Sequence, residues 1–183
     1  MKISYKIIFP LLILVLFGGL ALTKKPTTSP SVLGTVSTPT PVYVWAERTK
    51  ESDCHASGAY QDFECSPGAI LPVTVAQICT SGYAGSVRNV PESEKNAVYA
   101  EYGITTHTTG EYEIDHIVSL ELGGSNDISN LFPEAAEPQP GFHQKDIVEN
   151  YLHQQVCSGV IPLPEAQYKI AHDWLSVFQQ MRD

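Results

Sequence analysis

Between Glu111 and Pro133 the chain reads Glu-Tyr-Glu-Ile-Asp-His-Ile-Val-Ser-Leu-Glu-Leu-Gly-Gly-Ser-Asn-Asp-Ile-Ser-Asn-Leu-Phe-Pro, and no other stretch limits the fold as tightly. Tyr112 to Leu122 is β-like and turns at Gly123-Gly124. From about Phe142 to Val156 the pattern becomes helical, with Val148, Tyr151, Leu152 and Val156 at i, i+3, i+4 and i+8 as one buried stripe. The expected class is therefore α+β, a small hairpin-plus-helix unit packed by additional helices.

The same stretch carries an acid–imidazole pair, Asp115-His116. Neighbouring side chains on a regular strand point to opposite faces, so the two share a site only at a strand end, a bulge or a tight twist. Alone, an Asp-His dipeptide is ordinarily structural, each polar group finding a partner. The longer pattern is more specific. It reads Tyr112-x-x-Asp115-His116-Ile-Val-x-Leu-x-Leu-Gly-Gly124, then Asn130-Leu131, then His143-x-Lys145-Asp146. This order resembles the HNH branch of the ββα-metal (His-Me finger) endonucleases, over residues 112–150. The flanks, Cys65-Ser-Pro-Gly68 before it and Val156-Cys-Ser-Gly159 and Glu165-Ala-Gln167 after it, look like those of a small bacterial group of exported HNH-like proteins.

The resemblance implies a role for each matching residue. His116 corresponds to the general base that takes a proton from the attacking water, a task suited to a neutral imidazole near neutral pH. Asp115 corresponds to the acidic ligand of a single divalent metal, and Asn130 to the asparagine that braces the turn. His143, on the first turn of the helix, is the candidate second ligand. The implied ion is Mg²⁺ first, with Mn²⁺, Ni²⁺ or Zn²⁺ compatible with an imidazole ligand; it would neutralise the phosphate and stabilise the leaving oxygen. Two features depart from the family. Glu134 to Gly141 lengthens the link before His143, which leaves Glu149 as an alternative ligand or outer support. The Cys-x-x-Cys zinc frame of many such proteins is absent, so disulfides and the terminal helix must support the motif.

Other polar residues have two readings each. Lys145 either contacts a substrate phosphate or forms a helix-surface ion pair with Glu149 at i, i+4. Arg88 is a substrate clamp or a loop brace. Glu113 shares the alternation of Asp115 and is either outer support for the site or a solvated strand residue. His55, His107, His153 and His172 have no partner at ligand spacing, and His172 falls opposite the apolar stripe of its helix, which places it in solvent.

The charge balance narrows the function. From Lys24 onward there are nine basic and 20 acidic residues. That excludes tight, sequence-independent DNA binding through a broad basic surface. It leaves room for a nuclease that meets phosphate through a bound cation. Lys2 and Lys6 precede an apolar run from Ile7 to Leu22, so residues 1–23 read as a signal peptide or an N-terminal membrane anchor. Residues 24–41 form a Pro/Thr/Ser-rich linker, and residues 42–183 the HNH-like domain, with its core motif at 111–158. The expected location is extracellular, or anchored on the outer face of the cytoplasmic membrane.

Four cysteines fit an oxidising compartment and allow three pairings. The preferred one is Cys54–Cys65, closing a local loop, with Cys79–Cys157 tying an early helix to a later one. Further helices are expected at Val73 to Cys79, from Val90-Pro91 to Gly103, and after Pro162-Leu-Pro164, where Ile170, Trp174, Val177 and Phe178 share a face. The leading expectation is an exported, metal-dependent endonuclease acting on DNA, with RNA open, and no feature marks a protein partner. Two alternatives stand beside it. One is a catalytically silent surface module that keeps the HNH-like fold. The other is a metal-dependent hydrolase of another phosphodiester or of a wall polymer.

Overall fold

The computed structural model describes residues 41–183. The expected signal or anchor, and all but the last residue of the expected linker, lie outside the described residues. Among the described residues no helix is long and apolar enough to cross a membrane.

The elements run α1 (Val75–Ile78), α2 (Tyr83–Val87), α3 (Glu92–Glu101), β1 (Tyr112–His116), β2 (Leu131–Ala135), α4 (Phe142–Cys157), α5 (Leu163–His172) and α6 (Trp174–Gln180). Local chemistry accounts for several boundaries. Thr74 opens α1 with a reciprocal cap: its hydroxyl accepts from the Gln77 N–H, while its own N–H donates to Gln77 Oε1. Pro91 precedes α3, and Glu92 and Glu94 in its first turn complement the helix dipole. Gly103, at φ +69, follows the end of that helix in the left-handed region.

β1 and β2 pair antiparallel, from Tyr112↔Ala135 to His116↔Leu131. They form a two-stranded sheet, and α4 lies against the turn beside it and against α5 and α6. The core joins Ile117, Val118 and Leu122 to Val148 and Leu152 of α4 and to Ile170 and Trp174 of the last two helices. The mixed helix and antiparallel strand content is the α+β class expected.

Both cysteine pairings are present: Cys54–Cys65 with Cα atoms 6.0 Å apart and Cys79–Cys157 at 5.7 Å. The first pins the irregular chain before α1, and the second fastens the end of α1 to the end of α4. Two disulfides fit an oxidising, extracellular environment.

Four expectations need correction. The β-like section stops at His116; Leu120–Leu122 is a 3-10 turn, and the partner strand is Leu131–Ala135. Gly123-Gly124 therefore does not join two strands but folds an excursion spanning 117–130. The last helix is two, because Asp173 has φ −146 and interrupts the helical path before Trp174. Tyr151 is exposed. At about 100° per residue, Val148, Leu152, Lys145, Val156, Glu149 and Phe142 share one arc, and Tyr151 falls outside it. The buried face of α4 thus includes a charged pair, Lys145 and Glu149. His172 is half-buried, its ring stacked between those of Tyr168 and Phe63, at 4.2 and 5.5 Å.

Candidate active site

His116 is the last residue of β1, and the backbone leaves the sheet immediately after it. At this strand end Asp115 and His116 go separate ways. Asp115 Oδ1 accepts the His116 N–H at 2.7 Å, and Oδ2 accepts from Lys145 Nζ at 2.6 Å, toward α4. The His116 ring turns toward the excursion instead, with Nε2 3.3 Å from Asn126 Oδ1.

Asn126 fixes the tautomer. Its Nδ2 donates to the Val87 carbonyl at 2.8 Å, and its Oδ1 accepts the Asn89 N–H at 3.1 Å. The amide orientation is thereby set, so His116 Nε2 must be the protonated nitrogen that donates to Oδ1. Nδ1 is left with a free lone pair. Only 2% of His116 is exposed. Burial lowers its pKa to about 4, although Asp115 and Asn126 pull the other way. The ring is neutral at neutral pH.

Asn130 holds the excursion in shape. It is fully buried, and its side chain makes four hydrogen bonds. Oδ1 accepts from the N–H groups of Val118 and Ala69, and Nδ2 donates to the carbonyls of Val118 and Ser125. It thus clamps the first and last parts of the loop that begins at His116. Gly124 lies inside this clamp, where a Cβ would run into the Val118 carbonyl oxygen. The sequence asks for glycine there because the backbone packs on itself.

Behind His116 lies a buried charge cluster. Lys145 Nζ donates to Asp115 Oδ2, to the His116 carbonyl and to Glu149 Oε1, and lies 3.8 Å from Glu134. The Glu149 ion pair expected from sequence forms, but inside the protein and not on the helix surface, since Lys145 is only 2% exposed. All three ammonium protons are used, so Lys145 is not a substrate contact. Burial disfavours its charge, yet Asp115, Glu149 and Glu134 together hold its pKa well above the ordinary lysine value. Burial also opposes ionisation of Asp115, but Lys145 keeps that carboxyl below its usual range. Glu149 is pushed up to about 7, chiefly by burial. Glu134 is raised well above its ordinary value for the same reason. Neither Glu134 oxygen finds a donor, which is costly for a carboxylate and natural for a protonated carboxyl donating toward Asp115.

Of the two residues expected to hold a divalent ion, Asp115 is buried and His143 is exposed. The His143 ring lies on the first turn of α4, 4.2 Å from that of Phe142. Asp115 already has an ammonium on one oxygen and a backbone N–H on the other. Among the described residues, one set of three ligand-type side chains converges, Cys79, His153 and Cys157, with ligand atoms within 4.8 Å of one another. Both sulfurs are bonded to each other there, so no thiolate is offered.

His116 opens instead onto a cleft of about 460 Å³ between α3 and β1. Arg88 and Glu113, both singled out in the sequence, line it. Partial loss of hydration, then the charges of Asp115 and Asp146, push the Glu113 carboxyl up. Asp146 is itself raised, first by lost hydration and then by Asp115. Asn126 is a site residue that sequence reasoning missed. Its only signal was its place just after the glycine turn. No family model, curated protein or solved structure matches this chain.

Proposed function

We propose that the chain hydrolyses phosphodiester bonds of nucleic acid as an HNH-type endonuclease, exported or anchored through residues 7–22, with His116 as general base. The observation that carries this reading is the His116 imidazole. It is neutral, has its tautomer set by Asn126, sits on a turn clamped by Asn130, and lies in the wall of a cleft. In the reaction a water oxygen attacks phosphorus and its proton passes to His116 Nδ1. The P–O bond to the leaving oxygen breaks, and that oxygen takes a proton from solvent. One new end carries a phosphate monoester and the other a hydroxyl. Arg88, in the same cleft, draws the non-bridging oxygens into place. A bound phosphate adds negative charge near His116 and raises the proton affinity of the imidazole from its low resting value.

The test is cleavage of a supercoiled plasmid and of end-labelled oligonucleotides by the full chain and by His116→Ala. Cleavage lost in the variant is expected; undiminished cleavage would remove His116 from the chemistry. Parallel reactions with Mg²⁺, with Mn²⁺ and with EDTA read any divalent-ion requirement separately from the role of His116.

One observation favours a second reading. Lys145 already neutralises Asp115, as it would in a catalytically silent surface module that keeps the fold. Under that reading no phosphodiester substrate is cut with any ion, and the wild-type chain and His116→Ala behave alike.

A further inference from the structure

The cleft over His116 holds more than the hydrolytic step uses. Residues 41–183 carry seven basic side chains against 20 acidic ones. Four of the seven are held in ion pairs: Arg48 with Glu101, Lys50 with Asp62, Lys145 with its cluster, and Lys169 with Glu165. Arg182 lies over the Phe178 ring. Two remain, and both line this cleft. Among the described residues Arg88 makes no ion pair. Lys95 has only a 3.8 Å approach to Glu92, across a largely exposed helix surface. Arg88 and Lys95 are thus the cations that this acidic domain places in the cleft with His116.

The same cleft carries an aromatic wall. The Tyr99 and His107 ring centroids are 4.4 Å apart, and Tyr112 meets His107 edge-on at 6.2 Å. His107 is exposed, while Tyr99 and Tyr112 are half-buried. Base faces inside a duplex are covered by their neighbours, so an aromatic wall is of use only to unpaired bases. A duplex site of several phosphates would also need a basic surface that is missing here. Glu92 and Glu113 share the cleft and repel additional phosphates. The cleft volume, about 460 Å³, is of the size that takes a short bound segment.

We infer that the substrate is single-stranded nucleic acid, with Arg88 and Lys95 holding two successive phosphates and the Tyr99–His107–Tyr112 wall stacking an unpaired base beside His116. This rests on the proposed hydrolytic function and names its substrate class.

Fluorescence anisotropy tests it, using the full chain carrying His116→Ala to prevent turnover. The probes are a labelled ten-nucleotide DNA strand, the RNA of the same sequence, and the DNA duplex. Single strands are expected to bind at least about tenfold more tightly than the duplex. The slope of log K against log salt should be about −1.4, the value for two neutralised phosphates on a single strand. Arg88→Gln and Lys95→Gln should each flatten that slope by about 0.7. His107→Ala, a change at an exposed ring, should weaken single-strand binding and leave duplex binding unchanged. The RNA and DNA arms show which sugar is preferred, and preference for either strand over the duplex supports the inference. Equal or tighter duplex binding overturns it, as does affinity indifferent to both Arg88→Gln and Lys95→Gln. If the wild-type chain cuts duplex faster than single strands and His116→Ala does not, the substrate class is wrong and the hydrolytic reading stands. If no nucleic acid is bound or cut, both fall.

Discussion

At the scale of single residues, burial decides what His116 can do. A solvated histidine titrates near 6.5, whereas this one is held neutral down to about 4. Because its folded pKa is depressed, the unfolded chain takes up the proton first as pH falls. The stability it contributes is present above pH 6.5 and is lost as pH drops through about 4. The difference amounts to on the order of 3 kcal/mol. Glu149 acts in the opposite sense. Its folded pKa is raised to about 7, so the stability linked to its bound proton is present below its ordinary 4.5 and is lost as pH rises through about 7. Comparing urea unfolding of the wild type and His116→Gln isolates the first effect: the wild type should lose stability faster between pH 6.5 and 4. Parallel curves would mean that His116 titrates like a surface group. Lys145 makes a second residue-scale case. Replacing it with Met strands the carboxyls of Asp115 and Glu149 in the interior, and the loss should be about 3–5 kcal/mol by chemical denaturation. A loss below about 1 kcal/mol would show that the cluster is solvated.

At the scale of elements, the excursion from Ile117 to Asn130 sets the position of the His116 ring. It begins at His116, brings Asn126 under the ring and ends in the Asn130 clamp. Gly124→Ala would push a methyl group into the Val118 carbonyl, so it should cost about 2 kcal/mol or more and reduce cleavage through His116. A fully stable and active Gly124→Ala would mean that the clamp is not needed to aim the imidazole. Much of this was legible in the sequence. The α4 boundaries, the two cysteine pairs and the placement of Asn130 as a brace follow from periodicity, spacing and motif order. The form of the excursion was not. Ile117, Val118, Leu120 and Leu122 are all buried, so the run lacks the alternation that would separate a strand from a tightly packed turn. β2 was hidden by Pro133, which is tolerated because a two-stranded sheet leaves each strand an open edge. The Lys145 cluster was illegible for another reason. Charge spacing at i, i+4 looks the same on a surface and in an interior, and only the carboxyls of Asp115 and Glu134, supplied by the two strands, decide which it is.

At the scale of the whole molecule, stability depends on cross-links as well as core. The Cys79–Cys157 bond closes 78 residues and Cys54–Cys65 only 11. Loop-closure entropy then assigns about 4.5 kcal/mol to the longer link and about 3 kcal/mol to the shorter. Replacing both cysteines of the long link with serine should therefore lower the denaturation midpoint more than the same change at the short one. The reverse order would point to strain or to structure in the unfolded chain. The excess of acid over base also bears on function. On the proposed function, it would keep nucleic acid away from most of the surface and concentrate contact on the cleft that holds Arg88, Lys95 and His116. The molecule is thus described by one imidazole, one clamped turn and one cleft. The most direct measurement is the pH dependence of kcat/KM for oligonucleotide hydrolysis, which reports the base in the free protein. The acid limb should fall near pH 4, well below 6.5, and vanish with the activity in His116→Ala. A limb at 6.5 or above, or a rate that survives His116→Ala, would contradict His116 as the buried general base.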